Sequence, residues 1–315
     1  MSRGTVAGAP APAANVVQAL AQSRQLGLDR IDAQWLLAHL LHRPRIWLIT
    51  HGDAPLAEPV AKAFADACRR CADGEPLAYL LGEQEFHGLR LRVTPDVLVP
   101  RPDTETLVDW ALALLPTLLP KLSPEPLPTP APVRPGRQPQ VLDLGTGSGA
   151  IALAVAHRQP DAHVTATDIS PAALAVAQGN AQRLGLVIEW AVGNWWQAIT
   201  ARDPGRQFDL VLCNPPYIAS DDPHLAALQH EPLAALTPGG DGLGALQAVI
   251  HGAPAHLMPG GWLLLEHGWD QAPAVSAALL SAGFESISTR HDTAGRPRCT
   301  GGCLPVARAP RPAPE

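Results

Sequence analysis

Charge is scarce in this 315-residue chain: Asp, Glu, Lys and Arg make up 17% of it, against 46% hydrophobic residues. The first 100 residues carry ten basic and ten acidic side chains and the remainder thirteen and nineteen, for a formal net charge of −6. A protein that grips a phosphate backbone concentrates Lys and Arg into a stripe. None is present, so no direct nucleic-acid partner is expected. Long apolar runs are missing too. No stretch approaches the roughly 18 uninterrupted apolar residues that cross a bilayer, and no membrane partner is expected. Met1 to Asn15 is rich in Ala, Pro and Gly and lacks the apolar core of a secretory signal. The five cysteines are an odd number, which suits a reducing cytoplasm better than a disulfide framework. Cys68 and Cys71 fall within a helical pattern, far in sequence from Cys299 and Cys303. Zinc ribbons place such pairs closer together and on turns, so no metal site is expected.

What is present divides the chain. Residues 1–14 read as a disordered leader. Over 15–84 apolar residues recur at helical spacing (Ile31, Trp35, Leu36, Leu40 and Leu41, then Val60, Phe64 and Ala67), which predicts a small helical bundle. Over 85–100 the period changes: Phe86, Leu89, Leu91 and Val93 alternate with polar neighbours around Gly88, a β-hairpin linker. Residues 101–306 form the larger domain. Asp103 is placed to cap a helix running through Leu107 and Trp110. Nine prolines over 116–139 predict an extended loop. Strands and helices then alternate from Val141-Leu142-Asp143-Leu144 onward, through strands at 163–167, 187–191, 208–213 and 262–266, to strand-like segments near 286–290 and 302–306. Residues 307–315 read as a disordered tail. Repeated βα units predict an α/β fold with a mostly parallel, doubly wound sheet.

Asp143-Leu144-Gly145-Thr146-Gly147-Ser148-Gly149 joins the first of these strands to its helix. Such glycines let the backbone approach a ligand and present N–H groups at a helix N-terminus. Asp168, 23 residues beyond Gly145, ends the next strand and can accept from two ribose hydroxyls. The glycine spacing also fits the dinucleotide fingerprint, so two nucleoside-bearing cofactors, a nicotinamide dinucleotide and S-adenosyl-L-methionine, remain open at this point. The two tyrosines, Tyr79 and Tyr217, have no Lys four residues on, so the Tyr-x-x-x-Lys pair of many nicotinamide oxidoreductases is missing. Asp143 gives the acid-x-Gly-x-Gly-x-Gly order that resembles class I methyltransferases.

Asn214-Pro215-Pro216-Tyr217, at the end of the fourth strand, points the same way. An amide nitrogen is a poor nucleophile because its lone pair is delocalised into the carbonyl. Aiming that lone pair at a methyl group needs acceptors for both N–H bonds and a flat surface for the planar group. Asn214 offers a side-chain oxygen. Pro216 holds Pro215 extended, which leaves the Pro215 carbonyl free as the second acceptor. Tyr217 can cover the planar face. No metal or covalent nucleophile is needed.

Together with Leu98-Val99-Pro100-Arg101-Pro102-Asp103-Thr104-Glu105, Gly74-Glu75-Pro76-Leu77-Ala78-Tyr79, Glu231-Pro232 and Leu263-Leu264-Leu265-Glu266-His267-Gly268, these motifs resemble the release factor glutamine methyltransferases (the HemK/PrmC family) over nearly the whole chain. The resemblance implies a Rossmann-like class I methyltransferase sheet with a small N-terminal all-α domain joined by a β-hairpin. It implies S-adenosyl-L-methionine as cofactor and, as activity, N5-methylation of the glutamine in the Gly-Gly-Gln loop of class 1 peptide release factors by a cytoplasmic monomer. By position, Gly145, Thr146, Gly147, Ser148 and Gly149 would hold the methionine end and ribose, Asp168 the ribose hydroxyls, and Trp195 the adenine. Asn214 would contact both cofactor and substrate, and Pro215, Pro216 and Tyr217 the substrate. Asn194 stands where the family has an acid. A ribosomal protein glutamine methyltransferase shares this chemistry. An adenine-N6 DNA methyltransferase shares the tetrapeptide but would bring a target-recognition domain and a basic groove. A binding module that keeps the fold without turnover is the non-enzymatic alternative.

Overall fold

The computed structural model describes residues 13–118 and 137–306. The expectations for 1–12, for most of the proline-rich segment and for the tail lie outside them. The chain divides into two compact units, with the boundary after Gly82.

The first unit is helical: α1 (Val16–Gln25), α2 (Arg30–Leu40), α3 (Arg45–Thr50), α4 (Glu58–Ala72) and α5 (Leu77–Leu81). Asn15 and Asp29 cap the first two, their side chains accepting from the Gln18 and Ile31 amides. Val16, Leu36, Leu37 and Phe64 form its core.

The second unit opens with a hairpin, β1 (Glu83–Phe86) and β2 (Leu89–Arg92), turning at His87-Gly88. A 3₁₀ turn (Pro102–Thr104) leads into α6 (Glu105–Leu118). Then follow β3 (Gln140–Leu144), α7 (Ala150–Arg158), β4 (His163–Asp168), α8 (Pro171–Leu184), β5 (Glu189–Val192), α9 (Gln197–Thr200) and β6 (Phe208–Cys213). The chain continues through α10 (Leu233–Leu236), α11 (Gly244–His256), β7 (Leu257–Glu266), α12 (Ala272–Ser281), β8 (Glu285–His291) and β9 (Pro297–Cys303). Seven strands make one sheet in the order β5-β4-β3-β6-β7-β9-β8. The first five are parallel, and β9 runs antiparallel to both its neighbours. Every residue of β6 is buried, as is β3 from Val141 onward, because helices cover both faces.

Three expectations need correction. Asp103 does not cap α6. It sits in the 3₁₀ turn and pairs instead with Arg298, 3.1 Å away. The helix runs past Pro116 to Leu118, so the proline segment begins later than 116; Pro116 stands two residues from the helix's end and removes the one ladder bond its N–H would make to the Leu112 carbonyl. The last strand is Pro297–Cys303, not 302–306. Thr300 and Gly301 precede the expected strand, yet with Gly302 they are buried in the sheet. A Cβ on Gly301 would stand 2.4 Å from a Leu264 methyl, so close packing selects glycine there.

β3 starts the sheet, and the chain builds first to one side of it and then, from β6, to the other. The topological switch therefore lies between β3 and β6, where doubly wound sheets bind their ligands.

Candidate active site

Strand register decides which side chains meet at this switch. Leu144 pairs with Thr167 on β4 and with Cys213 on β6, and Cys213 pairs with Leu265 on β7. One residue further along, Asp168, Gly145, Asn214 and Glu266 leave the carboxyl edge of the sheet as a single row. Neighbouring strands lie about 4.8 Å apart, so the row spans roughly 14 Å.

Two cavities open over this row. The first, about 240 Å³, is lined by Gly145, Gly147, Asp168, Asn194, Trp195 and Asn214, with Pro216. The second, about 290 Å³, is lined by Arg101, Asn214, Pro215, Tyr217 and Glu266, closed by apolar residues such as Leu228 and Leu236. Asn214, Leu98 and Ala235 line both. The tetrapeptide thus faces two ways, with Asn214 in the shared wall.

In the first cavity Asp168 is held by backbone donors. Its two carboxyl oxygens accept from the Gly147 and Ser170 amides, each at 2.9 Å. Burial raises its pKa, and these backbone bonds pull it back. Gly145 has φ +74°, and a Cβ there would lie 3.3 Å from the Trp195 ring, so the glycine keeps open the space beside that ring. Thr146, Ser148 and Gly149 do not line the cavity. Thr146 and Ser148 are buried: Thr146 donates to Asp143 at 2.6 Å, and the Ser148 carbonyl accepts from Asn180. These contacts hold the loop from within. Trp196 turns inward, its indole N–H donating to the Val249 carbonyl and its ring stacked on His256.

Each polar residue of Arg101-Pro102-Asp103-Thr104-Glu105 ties down a different segment. Arg101 pairs with Glu231, whose other oxygen accepts from the Val99 amide at 3.0 Å. Asp103 pairs with Arg298 on β9. The Thr104 hydroxyl accepts from the Asn214 amide group at 3.2 Å. Glu105 accepts from the His87 amide in the hairpin turn at 2.9 Å. The first cavity is completed by Asp96, Val97 and Leu98, which fall in the segment read as a linker.

Residues 14–82 match the PrmC N-terminal domain, and residues 127–287 match the methyltransferase small domain. The release factor glutamine methyltransferase of Bordetella pertussis is 48% identical over 281 residues, which cover 88% of this chain and 96% of that protein. The chain belongs to the release factor glutamine methyltransferase family. Its counterpart from Burkholderia pseudomallei is 44% identical over 96% of this chain and 99% of its own. These relatives do not favour the DNA methyltransferase alternative. Among solved structures, the hMettl16 catalytic domain in complex with the MAT2A 3'UTR hairpin 6 aligns with a TM-score of 0.51 at 14% identity, over 82% of this chain and 84% of that one. That likeness is one of fold.

As a member of the release factor glutamine methyltransferase family, the chain is a methyltransferase, and its methyl donor is S-adenosyl-L-methionine. The first cavity fits that group: an oriented carboxylate for a diol, an indole for a base, and glycine backbone where the chain must come close. Among the described residues no cluster of three His, Cys, Asp or Glu side chains could hold a metal ion, and no helix is long and apolar enough to cross a membrane.

Asp143, the acid of the family loop, lies wholly buried behind the cavity. It accepts from Thr146 and from the Ala152 amide, and its Oδ1 has no partner. Burial pushes its pKa up to about 7. A carboxyl with a folded pKa above its unfolded value contributes stability at low pH that is lost as pH rises through the folded value. Asn at this position keeps the acceptor for Thr146 and Ala152 without a charge. The melting temperature of Asp143→Asn relative to wild type is therefore expected to rise between pH 5 and pH 8, measured by thermal unfolding without ligand. A flat difference would show Asp143 ionised throughout.

Proposed function

We propose that the protein transfers a methyl group from S-adenosyl-L-methionine to the side-chain amide nitrogen of the glutamine in the Gly-Gly-Gln loop of class 1 peptide release factors. It would do so as a monomer in the cytoplasm, without contacting nucleic acid directly. The observation that carries this reading is the pair of cavities sharing Asn214: a donor chamber built for a nucleoside, and an acceptor chamber lined by Pro215 and Tyr217.

S-adenosyl-L-methionine supplies an electrophilic methyl on a sulfonium. It would be held by Gly145 and Gly147, with Asp168 accepting from the ribose hydroxyls and Trp195 against the adenine. Asn194 would accept at the adenine edge through its side-chain oxygen, in place of the acid usual in the family. The Asn214 amide group is anchored by donating to Thr104, which turns its Oδ1 toward the site. Asn214 Oδ1 and the Pro215 carbonyl then accept the two N–H bonds of the substrate amide, and the Tyr217 ring covers its face. This aims the nitrogen lone pair through the shared wall, and both acceptors strengthen as positive charge develops on nitrogen. The methylated amide is a strong acid, so its extra proton passes to solvent without a dedicated base.

Purified protein with radiolabelled S-adenosyl-L-methionine is expected to label release factor, and a Gln→Ala change in the Gly-Gly-Gln loop to abolish the label. Label in ribosomal protein or duplex DNA, with none in release factor, would overturn the assignment.

A further inference from the structure

Glu266 ends β7 in the row that also presents Asn214, and it is 1% exposed. A carboxyl so placed is costly to bury unless something uses its oxygens. Its Oε1 accepts from the Tyr217 hydroxyl at 3.2 Å. Its Oε2 is buried without a hydrogen-bond partner. Burial raises the pKa of this carboxyl, and the Thr104 hydroxyl, a polar group placed to donate to it, opposes the rise together with the Arg298 charge. The Thr104 oxygen already accepts from Asn214, so its one hydrogen is free to point elsewhere. Two side chains of the tetrapeptide thus lead back to one buried carboxyl: Tyr217 directly, and Asn214 through Thr104. Glu266 also lines the second cavity beside both.

We propose that Glu266 is a positioning residue for methyl transfer, fixing the Tyr217 ring and, through Thr104, the orientation of the Asn214 amide. The role follows from what each group requires. Asn214 must present oxygen rather than NH₂ to the substrate, and the two are nearly equal in shape, so the orientation has to be set by what the NH₂ meets. A free Thr104 hydroxyl could rotate to donate to Asn214 instead, and an acceptor for its hydrogen removes that alternative. Glu266 is that acceptor, and it locks the order donor, hydroxyl, carboxyl. The Tyr217 ring in turn is held upright by its hydroxyl, so one carboxyl sets both the edge and the face of the substrate pocket.

The inference rests on the glutamine-methylation reading, and one experiment separates the two. Release factor methylation kinetics and S-adenosyl-L-methionine affinity by calorimetry are measured for wild type, Glu266→Gln, Thr104→Val and the double variant. Gln keeps the volume and one acceptor but sets a donor against Thr104. Each single change should lower kcat about 10-fold, the scale of one misoriented contact, with the release factor KM and cofactor affinity within about 2-fold of wild type. The two act on one chain of bonds, so the double variant should be little worse than either single. Wild-type kcat in Glu266→Gln, or single losses that multiply to about 100-fold in the double variant, would overturn the positioning role. Should Glu266→Gln not fold, Thr104→Val with unchanged kcat overturns it equally. Wild-type enzyme that labels no release factor would instead sink the functional assignment.

Discussion

Asn214→Ala is expected to cut turnover by at least about 100-fold while leaving S-adenosyl-L-methionine affinity close to wild type, the scale of a lost charge-stabilising contact. The expectation follows from where Asn214 stands. Its backbone follows the Leu144–Cys213 pairing in the middle of a buried sheet, and alanine leaves that register untouched. The NH₂ of the side chain donates to Thr104, and its oxygen is the acceptor proposed for the substrate. Alanine removes the acceptor proposed for one N–H bond of the substrate amide, so the nitrogen lone pair would no longer be aimed. The groups proposed to hold the cofactor (Gly145, Gly147, Asp168 and Trp195) belong to other strands and loops and stay in place. Single-turnover labelling beside calorimetric titration separates the two quantities. An equal loss in affinity and turnover would make Asn214 a cofactor ligand rather than a substrate one, since only interactions gained in the transition state lower kcat alone.

Parts of this site could be read from the sequence because their chemistry is consecutive. The glycine loop is a strand–turn–helix signal within a few residues, and the tetrapeptide carries acceptor, rigid carbonyl and ring in one stretch. Register then needs only the strand assignments to set Gly145 beside Asn214. The arginine-led segment was recognisable by resemblance alone. Its physical reason lies in four contacts, to Glu231, Arg298, Asn214 and His87, none of which leaves a local trace. Thr104 and Asn214 are 110 residues apart, and no periodicity links them. Asn180 was invisible for the same reason. It reads as a polar residue on the face of α8, yet it is fully buried and its amide clamps the Arg92 backbone to the Ser148 carbonyl. The last strand was misjudged at its start because its glycines are selected by close packing, whereas a pair of glycines in sequence signals a turn.

Asp168→Ala is expected to weaken S-adenosyl-L-methionine about 100-fold, with kcat at saturating cofactor much less affected. Hydrogen bonds to an ionised group are worth about 1.5–3 kcal/mol each, and two to a ribose give roughly 3 kcal/mol or more, which is about 100-fold in affinity. Alanine also removes the acceptor of the Gly147 and Ser170 amides, so the glycine loop loses a tether beside the first cavity. Asp168→Asn keeps one acceptor oxygen and should fall between the two. The carboxyl's pKa is raised, chiefly by burial, so wild-type affinity should begin to fall on the acid side at a higher pH than an ordinary carboxylate would give, as the protonated form loses one acceptor. Asp168→Ala has no such group, and its weaker affinity should be flat across the same range. Calorimetry or tryptophan fluorescence at several pH values reads both effects. An alanine variant that binds as tightly as wild type would move the ribose elsewhere and take with it the assignment of the first cavity as the donor chamber.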